Sequence, residues 1–220
     1  MTPRLQCVSN WDLNTGNMFI TEQLDYNREE EASAAAIMVP QLNPEQRDSY
    51  DRVLSTVLSG SGDSFFLNGP GGTGKTFVYR TLCHTLRGMG SIVICVASSG
   101  IATLLLPGGR TSHSMLRIPI EGLSPESFCS IDKEDDHAEL FRSASLIIWD
   151  EVPMQHRFGP EAVSCTLMDI RDDCRPFGGL SVVFGGDFRQ ILPVVRRGSP
   201  KRIINASLSR SPLWKIIQVL

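Results

Sequence analysis

The fold is decided by the stretch Gly69-Pro70-Gly71-Gly72-Thr73-Gly74-Lys75-Thr76, which fits the phosphate-binding pattern G-x-x-x-x-G-K-[ST] of a P-loop. An apolar run at 64–68 comes directly before it, and a stretch with helical periodicity at 75–88 follows. In this motif the glycines let backbone N–H groups converge on phosphates, and the helix N-terminus adds the positive end of its dipole. The stretch therefore predicts a nucleotide triphosphate site between a strand and a helix.

The side chains of this loop have roles that follow from the motif. Lys75 is expected to reach the β and γ phosphates of ATP, and the Thr76 hydroxyl is expected to ligate Mg²⁺. The alternative is a glycine-rich turn with a chance lysine, which the flanking strand and helix patterns disfavour. The residues expected to bind the nucleotide are Gly69, Gly71, Gly72, Thr73, Gly74, Lys75 and Thr76.

Apolar runs alternate with helical stretches along most of the chain. A helix is predicted at 44–58, since Asn43 is suited to the N-cap and Pro44 to the first helical position. Strands that are apolar on both faces and are joined by helices predict an α/β fold, with a parallel sheet covered by helices on both faces. Further helices are predicted at 75–88 and 100–106, and strands at 64–68, 92–97, 146–150 and 180–185.

Polar residues follow two of the later predicted strands. Asp150 and Glu151 end an apolar strand, where Asp150 is expected to hold Mg²⁺ and Glu151 to polarise the attacking water. The segment 185–190 follows the next strand, and its Gln190 is expected to contact the γ phosphate or the water. The alternatives are a pair of solvated loop acids and a capped turn. Ligands bind at the carboxyl ends of parallel strands, which favours the catalytic interpretation.

The bulk composition constrains the partners and the compartment. The chain has 220 residues and a formal net charge of −3, so a nucleic acid would have to be bound by a local basic patch. Its six cysteines include no C-x-x-C pair, which favours free thiols in a reducing intracellular compartment. No run approaches the roughly 18 apolar residues that a membrane span requires, so we expect no membrane partner.

Two stretches lack a clear pattern. Residues 1–40 combine polar residues, an acidic cluster and an alanine-rich patch without sustained periodicity, and we interpret them as a peripheral or flexible segment. The stretch 121–139 is acidic and irregular, and we interpret it as a surface insertion. The folded ATPase domain is therefore predicted at residues 41–220.

Several motifs occur in one order along the chain, at 42–46, 69–76, 98–114, 147–151 and 185–193. As a set they resemble the petite-integration-frequency (Pif-type) family of DNA helicases, from about residue 40 to residue 220. Motifs in a fixed order are more specific than any single motif. Two of the segments, 98–102 and 185–193, look most like the members encoded in eukaryotic Helitron transposons.

The resemblance implies an activity, cofactors and partners. It implies an ATP-dependent DNA helicase that uses ATP and Mg²⁺ and moves 5′-to-3′ along single-stranded DNA. It favours the nucleus, with the mitochondrion as the alternative, and implies roles in DNA repair, recombination and telomere maintenance. It implies that Gln46 recognises adenine and that DNA is contacted by Arg110, Thr111, Ser112 and His113. Donors in a glycine-rich loop are as often merely solvated, so this DNA assignment keeps a structural alternative.

By the same resemblance, residues 41–220 correspond to the first RecA-like motor domain, and a second motor domain would follow residue 220. The second lobe would then be supplied in trans or have been lost by truncation. Two alternatives to a helicase stay open. One is an ATP-binding module with little or no turnover that derives from a transposon helicase. The other is a P-loop kinase, for which the sequence shows no signal of an acceptor pocket or lid.

Overall fold

The structure is a computed structural model that describes residues 16–190, 192–195 and 198–220. Its strands are β1 (Ser64–Asn68), β2 (Ile92–Ala97), β3 (Arg110–Thr111), β4 (Ala144–Asp150), β5 (Ser181–Gly186) and β6 (Ile217–Val219). They form one sheet in the order β3-β2-β4-β5-β1-β6, and each of these pairings is parallel. The predicted α/β fold with a parallel sheet is confirmed.

Helices connect the strands and cover the sheet. The α-helices are α1 (Met18–Leu24), α2 (Arg28–Met38), α3 (Pro44–Ser59), α4 (Lys75–Gly88), α5 (Gly100–Thr103), α6 (Ser112–Leu116), α7 (Asp136–Ser143), α8 (Phe158–Ile170) and α9 (Pro200–Ala206). Short 3-10 turns lie at Val39–Gln41, Val152–Met154, Pro176–Gly179, Leu208–Arg210 and Pro212–Lys215. Within the described ranges, no helix has the length and apolar character needed to cross a membrane.

Alternate residues of each central strand enter two separate hydrophobic cores. In β4, Leu146 and Ile148 face one core, while Ile147 and Trp149 face the other. The first core is covered by α3 and α4, and the second by α7 and α8. Full burial of one such apolar side chain contributes about 1.5 to 3 kcal/mol to folding. Because both faces of the sheet are buried, its strands are apolar throughout rather than alternating with polar residues.

The helix-start signal before α3 forms a capping box. The Asn43 side chain accepts a hydrogen bond from the Gln46 backbone N–H at 2.9 Å, and the Gln46 side-chain oxygen accepts one from the Asn43 N–H at 3.1 Å. Pro44 occupies the first helical position, and Gly60 ends the helix in a left-handed conformation. The predicted helix is confirmed, and its cap fixes the position of Gln46.

The described part of the N-terminal segment is helical, which the sequence pattern did not predict. The small residues Ala32 and Gly88 let α2 pack closely along α4, since a Cβ on Gly88 would stand 2.9 Å from the Ala32 nitrogen. His84 Nδ1 and Glu31 Oε2 are 2.7 Å apart between the same helices. Residues 18–41 therefore form helices, one of which packs on α4, and the peripheral or flexible character expected for residues 1–40 stays a prediction. Residues 1–15 lie outside the described residues, and the domain boundary at residue 41 stays a prediction.

Two element boundaries differ from the prediction by more than two residues. The helix predicted at 100–106 ends at Thr103, because a tight turn returns the chain so closely that a Cβ on Gly109 would clash with the Thr103 carbonyl. The insertion predicted at 121–139 is irregular only as far as Asp135, whose side chain accepts a hydrogen bond from the His137 N–H and caps α7.

We expect Asn43→Ala to lower the free energy of unfolding by about 1 kcal/mol, because it removes the side-chain cap of α3. For a chain of this size that loss corresponds to a fall of roughly 2 to 4 °C in Tm, which thermal unfolding measures. Ser55→Ala is the matched control at an exposed position within the same helix, and its effect should stay within about 0.5 kcal/mol. Equal effects of the two substitutions would contradict the capping role.

Candidate functional site

Four neighbouring strands end together at the carboxyl end of the sheet, which we call the carboxyl edge. Ala97 at the end of β2 pairs with Asp150 at the end of β4, and Asn68 of β1 pairs with Gly186 of β5. Because the strands finish in register, the loops that follow them lie side by side. A cavity of about 340 Å³ opens between the P-loop and the ends of β4 and β5. The predicted site residues that line it are Gly71, Gly72, Gly74, Lys75, Thr76, Asp150, Glu151 and Gln190.

The P-loop is a closed turn between β1 and α4. Lys75 Nζ donates to the carbonyls of Gly69 and Pro70, the latter at 3.1 Å, and the Thr73 hydroxyl donates to Pro70 at 2.9 Å. Gly74 has a φ of +86°, a conformation that favours glycine, and it directly precedes α4. Lys75 and the residue after it therefore open α4 at its positive end, where phosphate oxygens are favourably bound.

Asp150 is a carboxylate that is only 6% exposed at the end of β4. Burial raises its pKa, and the backbone N–H of Glu151 and the charge of Lys75 oppose this rise. The Tyr79 hydroxyl donates to Asp150 Oδ1 at 3.5 Å. Burial and the Asp150 charge hold the pKa of Tyr79 well above its usual range. Tyr79 is therefore a neutral donor that orients the carboxylate.

Gly185 leaves the space that Tyr79 and Asp150 occupy. A Cβ at this position would overlap the Tyr79 hydroxyl and would stand 2.9 Å from Asp150 Oδ1. A larger residue at the end of β5 would therefore displace the tyrosine or the carboxylate. The sequence analysis did not identify Tyr79, although it follows Lys75 by four residues and therefore lies on the same face of α4.

Glu151 has a left-handed backbone conformation with a φ of +54°. Such a conformation costs a non-glycine residue on the order of 1 to 3 kcal/mol, and it persists where the surroundings enforce it. The Glu151 carboxylate accepts a hydrogen bond from the Ser99 hydroxyl at 2.8 Å, and the Ser98 N–H donates to the Asp150 carbonyl at 3.1 Å. The 98–114 segment is therefore bonded to both acidic residues, a connection that the sequence did not reveal.

The oxygen donors of the 340 Å³ cavity fit a Mg²⁺ ion. This ion prefers oxygen ligands and is usually held by one or two carboxylates together with substrate phosphates. Asp150 supplies a buried carboxylate to the cavity wall, and Thr76 supplies a hydroxyl. In the described ranges, no group of three or more His, Cys, Asp or Glu side chains could hold a metal alone. These donors therefore suit a metal that binds together with a nucleotide.

Gln190 approaches the P-loop from the loop after β5. Its Nε2 lies 3.7 Å from the position of a Cβ on Gly71, and its backbone N–H donates to the Asp187 carbonyl at 3.2 Å. The residue is exposed at the rim of the cavity. This position is compatible with contact to a terminal phosphate, and the sensor role stays a prediction.

A second cavity, of about 740 Å³, lies on the α3 side of the P-loop. Gln46 lines it together with Pro44, Val78 and Lys75. The Gln46 amide donates to the Thr73 carbonyl at 3.2 Å, so this side chain joins the start of α3 to the P-loop. Because Lys75 lines both cavities, one nucleotide can extend from the first into the second. Recognition of adenine by Gln46 stays a prediction.

Ser112 and His113 lie at the start of α6, next to Gln155. Ser112 is fully buried, and its hydroxyl accepts a hydrogen bond from the Gln155 amide. Because α6 begins here, that hydroxyl turns inward and is not open to DNA in this structure, and the DNA contact predicted for Ser112 stays a prediction. His113 is exposed, with its Nδ1 3.4 Å from the same amide, and its DNA contact stays a prediction.

Arg110 and Thr111 form the short edge strand β3. The Arg110 guanidinium makes an ion pair with the carboxylate of Glu22 in α1. The Thr111 side chain is half-buried. The residues predicted to contact DNA therefore do not form one open basic surface, and Arg110 would have to leave Glu22 to bind a phosphate.

Gly185→Ala is expected to lower the free energy of unfolding by about 1 to 3 kcal/mol, since overpacking of a dense core has this cost. Adding Tyr79→Phe removes the overlapping hydroxyl, so the double variant should regain part of the lost stability in a thermal double-mutant cycle. Gly100→Ala is the control, because a Cβ there meets nothing within 4 Å. Strictly additive losses would show that Tyr79 and Gly185 do not share this space.

Several known proteins that are similar to this chain are Pif1 helicases. The profile of the PIF1-like helicases matches residues 41–220. ATP-dependent DNA helicase Pif1 of Psychrobacter sp. (strain PRwf-1) is 32% identical over 152 residues, which are 69% of this chain and 23% of that protein. ATP-dependent DNA helicase PIF1 of Homo sapiens is 27% identical over 180 residues, which are 81% of this chain and 26% of that protein. The chain spans about a quarter of the length of these curated relatives.

Solved Pif1 helicases have a similar fold. The Pif1 helicase from Candida albicans matches with a TM-score of 0.66 and 28% identity, over 81% of this chain and 39% of that chain. The Bacteroides Pif1 helicase in complex with ADP-AlF3 and ssDNA matches with a TM-score of 0.64 and 23% identity, over 78% of this chain and 41% of that chain. The predicted RecA-like P-loop fold is thereby confirmed. Since the family profile covers most of its residues, the chain belongs to the PIF1-like helicase family.

Proposed function

We propose that this chain is the ATP-hydrolysing motor lobe of an ATP-dependent DNA helicase that moves 5′-to-3′ along single-stranded DNA. One observation carries the proposal: the P-loop, the acid pair at the end of β4 and Gln190 after β5 line a single cavity. The relatives from Psychrobacter sp. and Homo sapiens are named ATP-dependent DNA helicases, which supports the activity. The direction of movement rests on the family resemblance.

Nucleotide binding uses the two cavities beside the P-loop. The adenine base lies against Gln46 at the start of α3, and the phosphates lie over the loop, where backbone N–H groups and Lys75 bind them. Thr76 and Asp150 would hold a Mg²⁺ ion at the cavity wall. Mg²⁺, when bound, neutralises the charge that develops on the β and γ phosphates.

Hydrolysis depends on the residues opposite the P-loop. Glu151 polarises the attacking water, and its strained backbone with the Ser99 hydrogen bond holds the carboxylate in one position. Gln190, at the cavity rim, contacts the γ phosphate and responds to its loss. Tyr79 acts indirectly, as a positioning residue for Asp150.

The 98–114 segment couples hydrolysis to DNA. Ser98 and Ser99 are bonded to Asp150 and Glu151, so a shift of this segment changes the hold on both acids. Coupling between two binding sites is reciprocal, so DNA that alters the segment alters nucleotide affinity, and nucleotide alters DNA affinity. Because Ser99 also holds the Glu151 carboxylate, DNA that shifts this segment would reposition the group that polarises water and so stimulate hydrolysis. We place this activity in the nucleus, in DNA repair, recombination and telomere maintenance.

The full chain is expected to hydrolyse ATP in the presence of Mg²⁺ and to do so faster when a single-stranded oligonucleotide is added, as followed by phosphate release. Glu151→Gln removes the carboxylate that polarises water and should lower kcat by about 10² to 10⁴-fold, with nucleotide binding retained. Glu121→Gln is the matched control, because Glu121 is exposed and does not line the cavity.

Other outcomes would contradict the proposed site or indicate a different function. Unchanged hydrolysis in Lys75→Ala would contradict the assigned site. Tight binding of Mg²⁺ and ATP without turnover, with or without DNA, would indicate an ATP-binding module. Transfer of the γ phosphate to a small-molecule acceptor instead of water would indicate a P-loop kinase.

A further inference from the structure

Basic residues are concentrated in the last part of the chain. Residues 188–220 contain no aspartate or glutamate, whereas residues 1–187 contain 24 acidic and 14 basic residues. A chain with a net charge of −3 therefore ends in a segment of charge +7. Such asymmetry indicates a segment that binds a polyanion. The basic residues of this segment are Arg189, Arg196, Arg197, Lys201, Arg202, Arg210 and Lys215.

The cations of this segment that the structure describes lack acidic partners. Arg189, Lys201, Arg202, Arg210 and Lys215 are exposed, and no carboxylate within residues 16–190, 192–195 and 198–220 forms an ion pair with them. Most other surface cations in the described part of the chain form ion pairs. Ion pairs hold Arg47, Arg52, Arg110, Arg117, Lys133, Arg142, Arg157 and Arg175.

Three of these exposed cations lie on α9 and the turn after it, both of which are hydrogen-bonded to Arg157. The Arg157 N–H donates to the carbonyl of the last residue of α9, the helix that carries Lys201 and Arg202. The Arg157 guanidinium donates to the carbonyl of Arg210. Arg157 directly precedes α8 and follows the end of β4 by seven residues, so α9 and the turn after it are anchored to the segment that joins β4 to α8. We define the basic surface as Lys201, Arg202 and Arg210.

The other two exposed cations, Arg189 and Lys215, lie at opposite ends of the strands. Arg189 follows the end of β5, so it lies at the carboxyl edge. Lys215 lies at the opposite edge, because it precedes β6, whose first residue Ile217 pairs with Ser64 at the start of β1. Lys215 is not part of the basic surface.

We propose that the basic surface binds the phosphate backbone of single-stranded DNA. The inference rests on the proposed function and names the surface that this function uses. Arg110 is already paired with Glu22 and Ser112 is buried, so the sequence-predicted residues offer little charge to a phosphate. Unpaired lysines and arginines gain more, because they release the counterions of the nucleic acid without first breaking an ion pair.

The test uses the full chain and fluorescently labelled single-stranded oligonucleotides of two unrelated sequences, titrated at several salt concentrations. The double variant Lys201→Gln and Arg202→Gln should bind both sequences more weakly. Its slope of log affinity against log salt should be flatter by about 1.4, since each phosphate contact on a single strand contributes about 0.7. The control is Arg47→Gln with Arg175→Gln, which removes the same charge from two positions paired with carboxylates. It should leave the slope unchanged.

Three results would overturn the inference, and they are distinguishable. If the parent chain binds DNA and the Lys201→Gln, Arg202→Gln variant keeps both its affinity and its salt slope, the basic surface is not the site while the proposed function stands. If the parent chain binds an ATP analogue but no DNA at low salt, the proposed function fails as well. If the variant changes only the sedimentation coefficient, the basic surface mediates contact with a second copy of the chain.

Discussion

The ends of β2, β4, β5 and β1 fall in register, and each step of the proposed mechanism depends on this alignment. Parallel pairing brings Asp150 beside the loop after β2 on one side and beside the end of β5 on the other. The P-loop then follows β1, the next strand in the sheet. A slip of one residue in β4 would turn Asp150 to the other face of the sheet, away from Lys75 and Thr76. The register is therefore what converts separate motifs into one site.

Strand alignment brings Asp150 and Glu151 to the site, and neighbouring groups then stabilise and orient their carboxylates. Asp150 is buried enough for its pKa to rise, so its charged form needs the nearby N–H of Glu151, the charge of Lys75 and the Tyr79 hydroxyl. Gly185 supplies the space for that hydroxyl. Glu151 keeps an unfavourable backbone conformation beside Ser99. The site therefore contains a strained backbone at Glu151 and a buried carboxylate at Asp150. A bound metal and phosphates would offset the energetic cost of both.

The sequence predicts most of this arrangement, because its strongest signals are local. The P-loop pattern, the apolar strands and the Asn43 cap each depend on a few neighbouring residues, and the structure agrees with them. Contacts between distant segments leave no such pattern. The bonds from Tyr79 to Asp150 and from Ser99 to Glu151 join residues 71 and 52 positions apart.

Burial is equally hard to infer from a loop sequence, which is why Ser112 was expected at the surface. The segment 98–114 is rich in glycine and hydroxyl groups, a composition that suits either a solvated loop or a packed turn. The ion pair of Arg110 with Glu22 depends on α1, which the sequence analysis did not assign to any element. Whether Arg110 and Ser112 are open to DNA therefore depends on how α1 and α6 pack, and neither helix has a strong sequence pattern of its own.

In the proposed mechanism, the P-loop and Asp150 bind one nucleotide together with its metal. The most direct measurement is calorimetric titration of the full chain with a nonhydrolysable ATP analogue, in Mg²⁺ and in EDTA, for the parent chain and Asp150→Asn. Mg²⁺ is expected to strengthen binding to the parent chain, and Asp150→Asn is expected to lose most of this gain while still binding the analogue in EDTA. An equal gain from Mg²⁺ in both proteins would contradict the proposed mechanism.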